Sequence, residues 1–113
     1  MSYIELKTEN ELKELIAESF HKPQVIFKHS TRCFISSRVL KNTLSSFEDP
    51  RADWHLLDLI AFRNISNDIE KMLNVTHQSP QIIIIHKGIA PYNASHEQIL
   101  PEAIFEQLDN LNR

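Results

Sequence analysis

Two apolar segments on either side of a helical pattern constrain this chain more than any other feature. Residues 24–29 and 54–60 are short and rich in β-branched, aromatic and aliphatic side chains, as buried strands are. Between them, apolar residues from Cys33 to Phe47 recur at helical spacing, and residues 48–50 then end the helix. A strand, a helix and a strand in this order predict two parallel strands joined by a right-handed crossover.

Helices are also predicted before and after this unit. Thr8 and Glu11 have the spacing of a capping box, which marks the start of a helix. Ser66 is of a residue type that favours the N-cap, and apolar residues at helical spacing follow it. Pro101 suits the first turn of a last helix. The chain therefore has enough helices to cover both faces of a sheet.

The strongest strand signal lies in the second half of the chain. Residues 82–85 are four consecutive isoleucines, and Lys87-Gly88 is a tight turn that leads into residues 89–93 as a hairpin. We therefore predict an α/β fold with a mixed four-stranded sheet, built from a βαβ unit and a ββα unit. Helices cover both faces, and there is an extra N-terminal helix. This element order is the thioredoxin-like arrangement.

The composition limits the class of protein and of partner. The chain has 113 residues, a net charge of -3 and one cysteine, so we predict a single domain over residues 1–113. Lysine and arginine are not clustered, which argues against a nucleic-acid partner. The longest aliphatic run is far too short to span a bilayer, and the first residues lack a signal-peptide pattern. We therefore expect a cytoplasmic protein with no membrane partner.

The lone cysteine lies where the first strand of the βαβ unit gives way to its helix. A thiol there meets unpaired backbone N–H groups and the positive end of the helix dipole, which favour the thiolate. Arg32 adds a positive charge, and Ser30 and Thr31 keep the segment polar. A buried structural cysteine is the alternative, but the polar flank favours a reactive one. Cys33 is therefore the candidate nucleophile, and it must exchange with a thiol outside the chain.

Two further features have the positions of a thiol-exchange site. Ser36 lies three residues after Cys33, where a C-x-x-C redox protein has its resolving cysteine. A hydroxyl there can donate a hydrogen bond to the thiolate but cannot attack a disulfide. In a thioredoxin-like fold, Pro80 is cis and faces the cysteine; a trans proline that ends a loop is the alternative. A cis bond leaves the backbone of Ser79 free to pair with an extended substrate segment.

Three segments resemble the monothiol bacilliredoxin family. They are residues 27–36 (FKHSTRCFIS), residues 75–81 (VTHQSPQ) and residues 94–99 (ASHEQI). The resemblance implies a thioredoxin-like fold with Cys33 as the nucleophile, and it implies that Ser36, Ser79 and Pro80 shape the site. One position departs from the family's usual Cys-Pro-Ile-Ser, because Phe34 stands in place of the proline. The thiol itself is in place.

The resemblance also implies a chemistry. The family is linked to bacillithiol, a low-molecular-weight thiol, and we expect an enzyme of the thiol–disulfide oxidoreductase class. Cys33 attacks a mixed disulfide between a protein and bacillithiol, and an external thiol later releases the bacillithiol that Cys33 has taken up. No bound cofactor is implied: bacillithiol, or another small thiol, is a co-substrate, and S-thiolated client proteins are the partners. Arg32 is a candidate for binding the carboxylates of bacillithiol.

Histidines accompany the motif segments. His29, His77 and His96 lie in or beside them, and we expect them to line the pocket or to bond its loops. Metal binding is the alternative, since histidine and cysteine are zinc ligands. No pair of these residues has the close spacing of a structural zinc site, so we predict no metal.

Two other functions are compatible with the pattern. Some monothiol glutaredoxins use Cys-x-x-Ser to hold an iron–sulfur cluster between subunits, but Phe34 stands where those proteins have glycine. Anaerobic reconstitution that gives a cluster absorption band would favour this function. A non-catalytic thioredoxin-like module that docks peptides is the second alternative, and it would not need the thiol of Cys33.

Overall fold

Within residues 3–111, which the computed structural model describes, five strands form one mixed sheet. The strand order is β1-β3-β2-β4-β5. β1, β3 and β2 are parallel, whereas β4 is antiparallel to β2 and β5 is antiparallel to β4. The strands are β1 (Ile4–Glu5), β2 (Gln24–His29), β3 (Asp53–Asp58), β4 (Gln81–His86) and β5 (Ile89–Ser95).

The sheet has one strand more than the sequence predicted. The additional strand is β1, which has two exposed residues and pairs with His55 and Leu56 at the edge of the sheet. Two residues are too few to show the alternation that marks a strand, so only the tertiary pairing reveals it. The parallel crossover from β2 to β3 and the β4–β5 hairpin are as predicted.

Four α-helices of the described range accompany the sheet. Thr8 and Glu11 form the predicted capping box at the start of the first helix. Each of the helices is too short or too polar to span a lipid bilayer. The helices are α1 (Glu9–Glu18), α2 (Phe34–Thr43), α3 (Arg63–Leu73) and α4 (Pro101–Leu111). One short 3-10 helix, Leu44–Glu48, follows α2, and another, His96–Gln98, precedes α4.

The start of α3 differs from the prediction. The helix begins at Arg63 rather than after Ser66. The carboxylate of Asp58 accepts a hydrogen bond from the backbone N–H of Ile60 at 3.0 Å in the turn before the helix. The N-cap is Phe62, whose carbonyl accepts the N–H of Ser66 and which makes no side-chain cap bond. Ser66 consequently lies inside α3, where it is fully buried.

Alternating side chains of the central strands form two apolar layers, one on each face of the sheet. Phe27 of β2 and Ile82 and Ile84 of β4 pack against α2 and α4. Ile26 of β2 and Ile83 of β4 pack against α1 and α3. The four isoleucines of β4 are all fully buried because both faces are covered. The rigid sheet fixes the positions of the loops at its edges.

The only glycine in the chain allows the tight turn between β4 and β5. Lys87 and Gly88 have φ values of 54° and 81°, and the two positive angles are those of a type I′ hairpin turn. The ring of Phe20 packs closely over this turn. A Cβ atom at Gly88 would therefore lie only 2.8 Å from Cζ of Phe20. Any larger residue at Gly88 would displace that ring.

Candidate active site

Cys33 occupies the N-cap position of α2, directly after the loop that leaves β2. Its backbone N–H donates to the carbonyl of Ser30 at 3.1 Å, and its carbonyl accepts from the N–H of Ser37 at 3.1 Å. The side chain is half-buried, and its Sγ has no hydrogen-bond partner among the residues described. The thiol thus lies at the N-terminal end of α2, and it makes no side-chain cap hydrogen bond there.

Ser36 is fully buried one turn below the thiol. Its Oγ lies 2.8 Å from Nδ1 of His29 and accepts a hydrogen bond from the N–H of Ser30 at 3.0 Å. No hydrogen bond joins this hydroxyl to Cys33 within residues 3–111. The hydroxyl therefore links the start of α2 to the end of β2, where the sequence allowed a bond to the thiolate instead.

His29 is the buried end of β2. Burial lowers the pKa of its imidazole, and the negative charge of Asp58 opposes this change. The ring is consequently neutral near pH 7, and its Nδ1 accepts the hydroxyl proton of Ser36 when Nε2 carries the ring proton. His29 thus supports the loop from inside.

Pro80 lies at the same end of the central strands as this loop. The register of β2 and β4 pairs Lys28 with Gln81, which places the preceding residues of β4 beside the loop that leads to Cys33. The peptide bond between Ser79 and Pro80 is cis, as predicted. The backbone N–H and C=O of Ser79 have no hydrogen-bond partner in the described part of the chain, so they are open to another strand.

The sequence matches a known protein family over a range that contains all residues of this site. The model of the family described as monothiol bacilliredoxin BrxC matches residues 4–104. The chain belongs to this family. The resemblance seen in three short segments is therefore confirmed over most of the chain.

Solved structures similar to this bacilliredoxin family member share its fold. A candidate oxidoreductase with a thioredoxin fold is 26% identical, with a TM-score of 0.83 over 96% of this chain and 94% of that chain. Thioredoxin from Fasciola hepatica is 14% identical, with a TM-score of 0.76 over 95% and 97%. Mitochondrial thioredoxin 3 from Saccharomyces cerevisiae is 15% identical, with a TM-score of 0.75 over 96% and 95%. The predicted thioredoxin-like fold is confirmed.

The remaining residues predicted for the bacilliredoxin site lie at different distances from the thiol. Thr31 and Arg32 are exposed beside Cys33, and their side chains make no hydrogen bond or ion pair with any described residue. His96 is exposed, and its backbone N–H donates to the carbonyl of Pro80 at 3.0 Å. The structure therefore brings the segment of His96 to the proline, and it leaves Arg32 free to meet a ligand.

His77 belongs to a different environment. Its Nδ1 lies 3.1 Å from Oγ of Ser66, and its backbone N–H donates to a carboxylate oxygen of Glu70 at 2.9 Å. Both partners lie on α3. His77 thus anchors the loop before Pro80 to a helix, and its imidazole is directed to Ser66.

The candidate site lies at the end of the two central strands β2 and β4. A cavity of about 290 Å³ lies elsewhere, beside β1 and α1, where His55 and several acidic residues line it, and it does not include Cys33. Among residues 3–111, no three histidine, cysteine or acidic side chains are arranged to hold a metal ion. An open thiol flanked by free backbone suits a large substrate better than a small one that must be enclosed.

Sequence reasoning missed two features of the site. Phe34 and Ile35 are 80% and 42% exposed, so apolar surface adjoins the thiol. Lys28 is fully buried. A lysine inside an otherwise apolar strand is the sequence signal that could have revealed it.

Replacing Phe34 by proline should raise the free energy of unfolding by about 0.4–1 kcal/mol. Phe34 is the first residue of α2, where proline fits the helix and removes no helical hydrogen bond. Cys33 has φ -104° and ψ 119°, which is the extended conformation that a residue before proline requires. Urea unfolding measures the difference. Phe34→Ala controls for loss of the ring, and a proline variant less stable than the alanine variant would contradict the prediction.

Proposed function

We propose that this protein is a monothiol oxidoreductase that removes bacillithiol from protein mixed disulfides through Cys33. The observation that carries the proposal is the environment of the thiol. Cys33 lies at the start of α2 without a hydrogen-bond partner for Sγ among the residues described. It follows β2 at the end of the sheet where the backbone of Ser79, before β4, is also unpaired. Membership of the monothiol bacilliredoxin family supports the choice of bacillithiol.

The proposed reaction is one thiol–disulfide exchange. The thiolate of Cys33 attacks the bacillithiol sulfur of the mixed disulfide, and the bond between that sulfur and the client sulfur breaks. The client leaves as a thiolate and takes up a proton from water, so the client is reduced. Bacillithiol is then held on Cys33 by a new disulfide, and no electrons are gained or lost overall.

Release of bacillithiol requires a second thiol from outside the chain. Cys33 is the only cysteine in the sequence, and the hydroxyl of Ser36 cannot attack a disulfide. A small thiol therefore attacks the sulfur of the bound bacillithiol, and Cys33 leaves as the thiolate. Bacillithiol and the small thiol depart joined by a disulfide. The proposed enzyme is thus a carrier between an S-thiolated client and a small thiol.

The surroundings of Cys33 suit the two parts of this substrate. The free N–H and C=O groups of Ser79 can pair with an extended client segment as an added strand. The exposed side chains of Phe34 and Ile35 offer apolar contact to the same client. The guanidinium of Arg32, which is exposed and has no partner in the described range, can bind the carboxylates of bacillithiol.

Incubation of the reduced protein with oxidised bacillithiol should add the mass of one bacillithiol to the chain. Intact-mass spectrometry measures the adduct, and peptide mapping should locate it on Cys33. A reducing thiol should remove it, and Cys33→Ser should form none. Alkylation of Cys33 by iodoacetamide without any bacillithiol adduct would contradict the proposal, because the thiol would then be accessible but unable to exchange.

A further inference from the structure

Lys28 is a buried lysine in the strand that leads to the candidate nucleophile. Its side chain is 0% exposed, and its Nζ has no hydrogen-bond partner within residues 3–111. Side chains alternate along β2, so Lys28 lies on the same face as Ile26, which packs toward α1 and α3. Lys28 also pairs across the sheet with Gln81, the residue after Pro80. A charged group is therefore buried where the chain approaches its cis proline.

Two charged groups of one other element act on this lysine. Burial lowers the pKa of Lys28 to about 8, while the carboxylate of Glu70 raises it and the guanidinium of Arg63 lowers it. Both of these residues lie on α3. Burial also lowers the pKa of His77, and Lys28 and Arg63 lower it further, against the effect of Glu70. The carboxylate of Glu70 thus raises the pKa of both Lys28 and His77, while the guanidinium of Arg63 lowers both.

The same carboxylate holds the loop of residues 74–80, which ends at the cis proline. An oxygen of Glu70 accepts the backbone N–H of His77 at 2.9 Å, and Oγ of Ser66 lies 3.1 Å from Nδ1 of that histidine. On the other side of the loop, the amide nitrogen of Gln81 donates to the carbonyl of Thr76 at 3.0 Å. Side chains from α3 and β4 therefore fix the loop just before Ser79.

Lys28 does not help the fold by itself. An ammonium buried without a hydrogen bond destabilises a protein, and an apolar side chain of similar length in its place is neutral or stabilising. The charge of Lys28 attracts the carboxylate of Glu70, however, and that carboxylate holds His77. The geometry adds a second link, because Lys28 pairs in the sheet with Gln81, whose side chain donates to the carbonyl of Thr76 in the loop.

We propose that Lys28 and Glu70 are positioning residues that hold the 74–80 loop, and with it the backbone of Ser79, in the conformation that binds a client protein. This inference rests on the proposed function, since it assumes that Ser79 pairs with the client. Cys33 lies at the start of α2, a helix that packs on the other face of the sheet. Loss of the charges should therefore weaken client binding and leave the thiol itself unchanged.

The test measures how Lys28→Met changes the reaction with a large substrate, a client protein, and with a small one, Ellman's reagent. The KM for a bacillithiolated client protein should rise about 10-fold, whereas kcat and the rate at which Cys33 reacts with Ellman's reagent should stay within about 2-fold. The melting temperature should not fall, because methionine replaces an unpaired buried charge. Lys71→Met, at an exposed position on α3, is the matched control and should leave KM unchanged. Equal KM values for the two variants would overturn the inference.

The pH dependence gives a readout that a purely structural role would not change. Lys28 loses its proton as the pH rises through about 8, so the KM of the wild-type protein should increase between about pH 7 and about pH 9. This increase should be absent in Lys28→Met. An increase of the same size in both proteins would overturn the inference.

Glu70→Gln keeps the inference testable if Lys28→Met does not fold. Glu70 is exposed, and glutamine can still accept the N–H of His77, so this variant should fold. It lacks the charge that faces Lys28, and its KM should rise relative to Glu102→Gln on α4. An unchanged KM would overturn the inference.

Failure of the wild-type protein to form a bacillithiol adduct is a different result, because it contradicts the proposed function itself.

Discussion

Replacing Cys33 by serine should reduce the release of bacillithiol from a mixed disulfide to the uncatalysed rate. The chain has no other sulfur nucleophile of this kind, because Cys33 is its only cysteine. A serine hydroxyl is not ionised near neutral pH and cannot form a disulfide with bacillithiol. The measurement is the rate at which thiol groups appear on a bacillithiolated client in the presence of excess recycling thiol.

The fold of this variant should be intact. Cys33 is half-buried and its Sγ has no hydrogen bond with any described residue, so serine should change the free energy of unfolding by no more than about 0.5 kcal/mol. A relocated thiol provides a second control. Ser37→Cys in the Cys33→Ser background places a thiol at an exposed position of α2 beyond the N-cap, and it should not restore turnover.

These results separate the proposed enzyme from a binding module. Turnover that survives in Cys33→Ser would contradict the mechanism, and turnover restored by the relocated thiol would show that the N-cap position is not needed. A cellular phenotype that Cys33→Ser leaves unchanged would favour a non-catalytic module that docks peptides. The two variants therefore test both the thiol and its position in the fold.

Local sequence patterns determine most of the fold. The apolar segments of β2, β3 and β4 and the tight turn at Lys87-Gly88 are signals within a few residues, and the structure follows them. β1 is not visible in the sequence because its two residues become a strand only by pairing with β3. The start of α3 is hidden for a related reason, since its N-cap residue Phe62 makes no side-chain cap bond that a sequence motif could mark.

The candidate site also has some features that local sequence predicts and others that depend on tertiary packing. The spacing of Cys33 and Ser36 can be read directly, because it depends only on the start of one helix. The direction of the Ser36 hydroxyl cannot, since it depends on His29 of the neighbouring strand. The surroundings of Lys28 are likewise tertiary, because Glu70 and Arg63 reach it from α3. Sequence spacing thus predicts which residues are near one another along the chain, and packing decides what they contact.

Replacing Ser36 by alanine should lower the free energy of unfolding by about 2–6 kcal/mol. The Oγ atom is fully buried, accepts the N–H of Ser30 at 3.0 Å and lies 2.8 Å from Nδ1 of His29. Its removal leaves two buried polar groups without these partners, and each such group costs about 1–3 kcal/mol. Urea unfolding followed by circular dichroism measures the loss.

Ser37→Ala is the matched control, because it makes the same change one residue later in α2. Ser37 is exposed, so its loss should change the free energy of unfolding by no more than about 0.5 kcal/mol. If both variants were equally stable, the buried hydroxyl would not link the helix to β2.

The alkylation rate of Cys33 distinguishes the two roles considered for Ser36. A hydroxyl that binds His29 and not the thiolate should leave this rate within about 3-fold in the folded variant, because thiolate character controls it; a large decrease would instead assign the hydroxyl to the thiolate.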